Sequence, residues 1–140
     1  MTRDQIVELF NRRLKATNDH DVESLADLYA PDAVVESPLG GTHQGRAAIE
    51  SVLAAFFDAL TDATITQDEL IVEGDRVVQV VTVSATDTDG FMGTTRAGKP
   101  ALVPIVTVCR VKDGLITHER RIYDFTGMLV QIGVLKAKPA

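Results

Sequence analysis

Four residues near the end of the chain, His118, Arg120, Ile122 and Asp124, are spaced two apart in a run rich in Val, Ile and Thr. In a β-strand that spacing puts all four on one face, and Glu119, Arg121 and Tyr123 on the other. Asp124 follows the apolar strand end Ile122-Tyr123. A carboxyl group stripped of water there is raised from its usual value near ~4 towards that of a general base working at neutral pH. Such a base removes a proton α to a carbonyl, the first step of aldol or isomerase chemistry. On the same face, Arg120 would hold an enolate, carboxylate or phenolate, and His118 would relay a proton. A second reading makes Asp124 the cap of the short segment Phe125 to Ile132. It leaves His118 and Arg120 on an open sheet face or at a dimer contact.

Other side chains carry weaker signals. Tyr29 falls on the apolar stripe of a predicted helix, where its hydroxyl would either reach a cavity or find a partner inside the core. Phe56 and Phe57 read as core residues, one of which could form a cavity wall. Cys109 lies in a β run and reads as a small core residue. His20 and His43 fall in turn segments. Asp87, Arg96 and Lys99 read as solvated loop charges.

The elements that must position these residues follow from periodicity. Thr2 and Gln5 are spaced as a capping box, ahead of Ile6, Leu9, Phe10 and Leu14 at helical intervals. Asp21 is placed to cap a second helix with Val22, Leu25, Leu28 and Tyr29 on one stripe, ended by Ala30-Pro31-Asp32. A short strand, Val34 to Ser37, precedes the turn-rich Pro38-Leu39-Gly40-Gly41. A third helix after Gly45 presents Ile49, Val52, Leu53, Phe56, Phe57 and Leu60. Thr64 to Val72, Arg76 to Thr88, Leu102 to Lys112 and Leu115 to Phe125 then read as strands, joined by Gly-containing turns and one longer loop, Asp87 to Pro100. The order α-α-β-α-β-β-β-β predicts an α+β fold, with helices on one face of a largely antiparallel sheet that curls around a cavity.

The chain's 140 residues suit one domain over 1–140, and 45% hydrophobic with 24% charged residues is enough to bury a core. A net charge of −6 argues against nucleic acid as a partner. One cysteine cannot form an internal disulfide. The polar N-terminus is not that of a signal peptide, and no apolar run reaches the ~18–20 residues of a membrane helix. A cytoplasmic protein is expected. CxxC, HExxH, GxxxxGK[ST] and GxSxG patterns are lacking, so neither a metal nor another cofactor is expected.

Several strings, in order, resemble the SnoaL-like branch of the NTF2-like superfamily, the small polyketide cyclases and their relatives. They are Asn18-Asp19-His20-Asp21-Val22-Glu23-Ser24-Leu25, Ser37-Pro38 with Gly45-Arg46-Ala47-Ala48-Ile49, Asp113-Gly114-Leu115-Ile116, and Arg121-Ile122-Tyr123-Asp124-Phe125 running into Gln131-Ile132-Gly133. The resemblance implies a cone-shaped barrel, three helices packed on a strongly curved, mostly antiparallel sheet. It also implies a homodimer and a pocket for a small hydrophobic or aromatic organic ligand.

In the cyclases an Asp at the end of the last long strand acts as acid and base in an intramolecular aldol condensation, and Asp124 matches that position. Ketosteroid isomerases, epoxide hydrolases, dehydratases and members without known catalysis share the superfamily, so the site decides the function. The chain departs from the cyclase pattern at Glu36, where many members carry His, and at Ala85-Thr86-Asp87, where many carry a Gly-Thr-His-type string. If Glu36 faces the pocket beside Asp124, one carboxylate raises the pKa of the other; otherwise it is a solvent-facing edge residue. A limonene-type epoxide hydrolase fits poorly, because Arg110 is followed two positions later by Lys112. The expected function is cofactor-independent acid–base chemistry of cyclase or isomerase type on a carbonyl substrate, and the alternative is a non-catalytic ligand-binding or assembly module.

Overall fold

The Thr2 side chain accepts from the Gln5 backbone N–H while Gln5 reaches back to the Thr2 N–H, and this capping box starts α1 (Arg3–Asn18). The computed structural model describes residues 1–86 and 98–136. After α1 come α2 (Val22–Ala26), β1 (Tyr29–Ser37), β2 (Gly41–Gln44), α3 (Arg46–Ala59), β3 (Thr64–Glu73), β4 (Arg76–Thr86), β5 (Pro100–Lys112), β6 (Leu115–Tyr123) and α4 (Phe125–Gln131). The strands form one curved six-stranded sheet in the order β2-β1-β6-β5-β4-β3. Every neighbouring pair is antiparallel except β1 and β6. This is the expected α+β architecture.

Helices α1 and α3 bury Ile6, Leu9, Phe10, Ile49, Leu53 and Phe57 against Ala33, Val35, Val77, Cys109, Val111 and Ile116 of the sheet. Full burial of each large apolar side chain is worth roughly 1.5–3 kcal/mol. A second cluster joins Leu60, Val83, Ala85, Val103, Met128 and Ile132 at the α4 end. Phe56 is half-buried and packs against both clusters, as expected of the third helix, whereas Val52 is half-buried and packs against neither.

The structure corrects several local expectations. The second helix ends at Ala26, and Tyr29 opens β1 instead of continuing the helical stripe. The hairpin strand β2 and helix α4 are additional elements. Asp87, Arg96 and most of the expected Asp87 to Pro100 loop lie outside the described residues, as does the tail from Ala137; Lys99 is described and exposed. No described helix is long and apolar enough to cross a membrane.

One irregularity governs the site. Arg110 pairs with His118 but Val111 pairs with Ile116, so Thr117 is an extra residue in β6. Such a bulge exchanges the two faces of a strand. Ile116 is buried, yet beyond the bulge the inward residues are Glu119, Arg121 and Tyr123.

Candidate functional site

Glu119 is completely buried at the centre of a polar network inside the cone. Arg13 of α1 and the Nε–H of Arg121 each donate to one of its carboxylate oxygens. The Tyr29 hydroxyl donates to the same oxygen as Arg13, at 2.7 Å. Arg13 also donates to Gln79 Oε1 at 2.6 Å, Thr107 Oγ1 at 3.2 Å and the Tyr29 hydroxyl oxygen at 3.2 Å. Burial alone would push the Glu119 pKa up, but the charges of Arg121 and Arg13 and the hydrogen bonds from Arg121 and Tyr29 outweigh it and hold the carboxyl at about 2. Burial likewise opposes the charge on both guanidiniums, and Glu119 outweighs it, so both are held more firmly protonated than usual. Burial pushes the Tyr29 phenol up to about 12, so it stays a neutral donor.

Two chambers adjoin this network. The inner one, about 90 Å³, is lined by Arg13, Tyr29, Gln79, Thr107 and Arg121 among apolar side chains. The outer one, about 430 Å³, is mainly apolar, walled by Val35, Val52, Leu60, Val103 and Met128, with Arg121, Tyr123, Ser37 and His43 as its polar groups. Phe56, Val83, Ile105 and Arg121 line both. The Tyr123 hydroxyl and Ser37 Oγ are hydrogen-bonded at 2.9 Å. A Cβ on Gly40 would lie 3.3 Å from His43 Nε2 and 3.6 Å from Ser37 Oγ, so glycine there leaves open a small space that both groups border. Mainly apolar walls with a few convergent polar groups are the usual anatomy of a small-molecule site.

The model of the SnoaL-like domain family matches residues 10–119. The chain belongs to the SnoaL-like domain family. It is similar in structure to IdmH from Streptomyces antibioticus, for which a polyketide cyclase role has been suggested, with 28% identity, TM-score 0.79, and coverage of 91% of this chain and 97% of that one. It is also similar to TsrD from Streptomyces laurentii, with 24% identity, TM-score 0.85, and coverage of 96% and 99%. A protein of Catenulispora acidiphila with a ketosteroid isomerase-like fold gives 21% identity, TM-score 0.79, and coverage of 94% and 98%. No curated protein matches the chain.

Within this SnoaL-like fold the residues expected at the site divide in two. Tyr29 and Phe56 do line the chambers, Tyr29 the inner one and Phe56 both. Asp124, Arg120, His118 and Glu36 line neither. Asp124 is exposed, and its side chain accepts from the Gly127 backbone N–H at 2.8 Å as the N-cap of α4. Arg120 is exposed too. His118 Nε2 and Glu36 Oε2 meet at 2.7 Å with both side chains part-exposed, so the partner of Glu36 is His118 and not Asp124. The Thr117 bulge is the physical reason, because it turns this face of β6 outward.

The groups that do converge are Arg13, Glu119, Arg121, Tyr123, Ser37 and His43. Arg13 stood in the sequence as a charge in line with Ile6, Leu9 and Phe10, which on a helix marks a buried guanidinium that needs a partner. His43 returns on a hairpin strand paired with Val35, a placement that the Gly40-Gly41 turn permits. Among the described residues no cluster of His, Cys, Asp and Glu could hold a metal ion.

Proposed function

We propose that this SnoaL-like chain takes a small, largely apolar organic molecule into the outer chamber and moves protons at an enolisable carbonyl with its own side chains. The carrying observation is the convergence of Tyr123, Ser37, His43 and Arg121 on one apolar cavity of about 430 Å³. Imidazole is the side chain suited to accept and return a proton near neutral pH, which assigns the proton transfer to His43. The Tyr123 hydroxyl, positioned by Ser37, donates to the carbonyl oxygen, and the positive charge of Arg121 favours the enolate that develops there. Glu119 is not the base. Its oxygens already receive Arg13, Arg121 and Tyr29, and a carboxyl held at about 2 has little affinity for a proton.

Similarity to IdmH supports cyclase-type chemistry. TerC, 26% identical with TM-score 0.76, was co-crystallized with polyporic acid, which supports a small organic ligand. The same reading takes the chain as a homodimer through the outer sheet face.

Exchange of the methyl protons of 2-acetylnaphthalene in D₂O, followed by NMR, tests the proposal. The protein should accelerate exchange, and His43→Gln should lower that acceleration about 100-fold, the lower end for loss of a general base. A ketone that binds in the cavity but exchanges no faster than in buffer would favour the non-catalytic binding module.

A further inference from the structure

The protein carries a net charge of −6, yet among the described residues no Asp or Glu side chain lines either chamber. The ionisable groups that do are Arg13, Tyr29 and Arg121 in the inner chamber and Arg121, Tyr123 and His43 in the outer. Behind them lie Glu119 and Cys109, both fully buried. Tyr29 and Cys109 are both pushed up to about 12 and stay neutral, so among the described residues two guanidiniums face a single carboxylate.

The two guanidiniums are not used alike. Arg13 is engaged by Gln79, Thr107, Tyr29 and Glu119. Among the described residues Arg121 has a hydrogen bond from its Nε–H alone, to Glu119, and its side chain lines both chambers where they meet. Its terminal amino groups therefore offer donors in a fixed planar fork, the geometry that matches a carboxylate. An excess buried charge among apolar walls is costly unless an opposite charge joins it. The inner chamber has room for a group of that size; the outer has room for an apolar body.

We infer that the molecule this cavity takes carries a carboxylate or an equally acidic oxygen group, and that this group seats against Arg121 where the two chambers meet. The inference rests on the proposed use of the cavity for a small organic molecule and adds the chemical class of that molecule. It also gives the ligand one orientation, acidic end inward and apolar body along Val52, Phe56 and Val103.

The test compares 2-naphthoate with its methyl ester by calorimetry on the full chain, at low and high salt. The naphthoate should bind at least tenfold more tightly than the ester. Because the site is buried, that ratio should change less than threefold between 20 and 300 mM NaCl. In Arg121→Gln the ratio should fall below threefold. The wild-type ratio decides even if the variant does not fold. Equal affinities, or a ratio that collapses with salt, overturn the inference and leave the cavity reading standing. Binding of neither compound overturns both.

Discussion

Glu119 and Arg121 stand two residues apart on β6 with both side chains turned inward, and the Nε–H of Arg121 donates to the carboxylate. That bond ties the ion network inside the cone to the wall of the cavity. Arg13 grips the other oxygen from α1, so the helix layer and the sheet are joined through one carboxylate. The network orients Arg121 at the boundary of the two chambers before any ligand arrives, the kind of pre-organisation that keeps a binding group from having to reorganise.

Removing Glu119 should therefore be felt throughout the molecule. Glu119→Gln leaves two buried guanidiniums facing no carboxylate, and a broken buried pair of this kind costs about 3–5 kcal/mol. The pH dependence has a defined sign. The folded carboxyl is held at about 2 against an ordinary 4.5. Its contribution is complete above the ordinary value and is lost as pH falls towards the folded one. Urea denaturation of wild type and Glu119→Gln should thus show a wide gap at pH 7 that narrows steadily from pH 5 to pH 2. A gap below 1 kcal/mol at pH 7, or one that does not depend on pH, contradicts the assignment.

Cys109 should be chemically silent in the folded protein. It is fully buried, and burial, with Glu119 adding to it, pushes the thiol up to about 12. The reactive thiolate is scarce and no reagent reaches it. Labelling by a thiol reagent should follow unfolding, speeding up with urea in step with loss of structure. Full labelling in native buffer at the rate of a free cysteine would show that the core near Glu119 opens locally.

The fold was readable in the sequence because its signals are local and repeated. The Thr2/Gln5 capping box, the stripe Ile6-Leu9-Phe10, the Val-rich runs and the Gly turns at Gly74 and Gly114 each declare an element. The site was less readable because it depends on phase. Alternation along 118–124 correctly separates Glu119, Arg121 and Tyr123 from His118, Arg120, Ile122 and Asp124, but only the pairing of β6 with β5 reveals the extra residue at Thr117 that decides which set faces in. Asp124 as a cap was one of the two readings open in the sequence, and the backbone around Gly127 settles its contact.

The outer sheet face predicts a dimer. Val80, Val106 and Ile122 form one row across β4, β5 and β6, and Val78 and Val108 lie in the next row beside Arg120. Ile122 is 45% exposed at the end of its row, and Leu102 further along β5 is 59% exposed. An apolar sheet face of this kind is usually covered. Sedimentation of the wild type at micromolar concentration should give a dimer, and Ile122→Lys should give a folded monomer, since a charge there would be buried unpaired. A monomeric wild type would leave this face simply exposed.

Asp124 offers the clearest choice between the role implied by family resemblance and the one implied by its contacts. Its carboxylate accepts from the Gly127 N–H at 2.8 Å, and a Cβ on Gly127 would collide with that carboxylate, approaching its Cγ to 2.8 Å. Gly127 and Asp124 thus form one device that starts α4, the helix whose Met128 closes one side of the outer chamber. Asn is as good a helix cap as Asp, and Ala is not. Asp124→Asn should keep stability within about 0.5 kcal/mol, whereas Asp124→Ala should lose about 1 kcal/mol. Gly127→Ala should be at least as costly as Asp124→Ala, because it displaces the cap. If Asp124 served as the base, Asp124→Asn would abolish proton exchange on 2-acetylnaphthalene while leaving stability intact. With His43 as the base, that variant should exchange the ketone's protons at the wild-type rate, and His43→Gln should not. Measuring both variants in one experiment, with urea midpoints as the control for folding, assigns the proton transfer to the outer face of β6 or to the cavity.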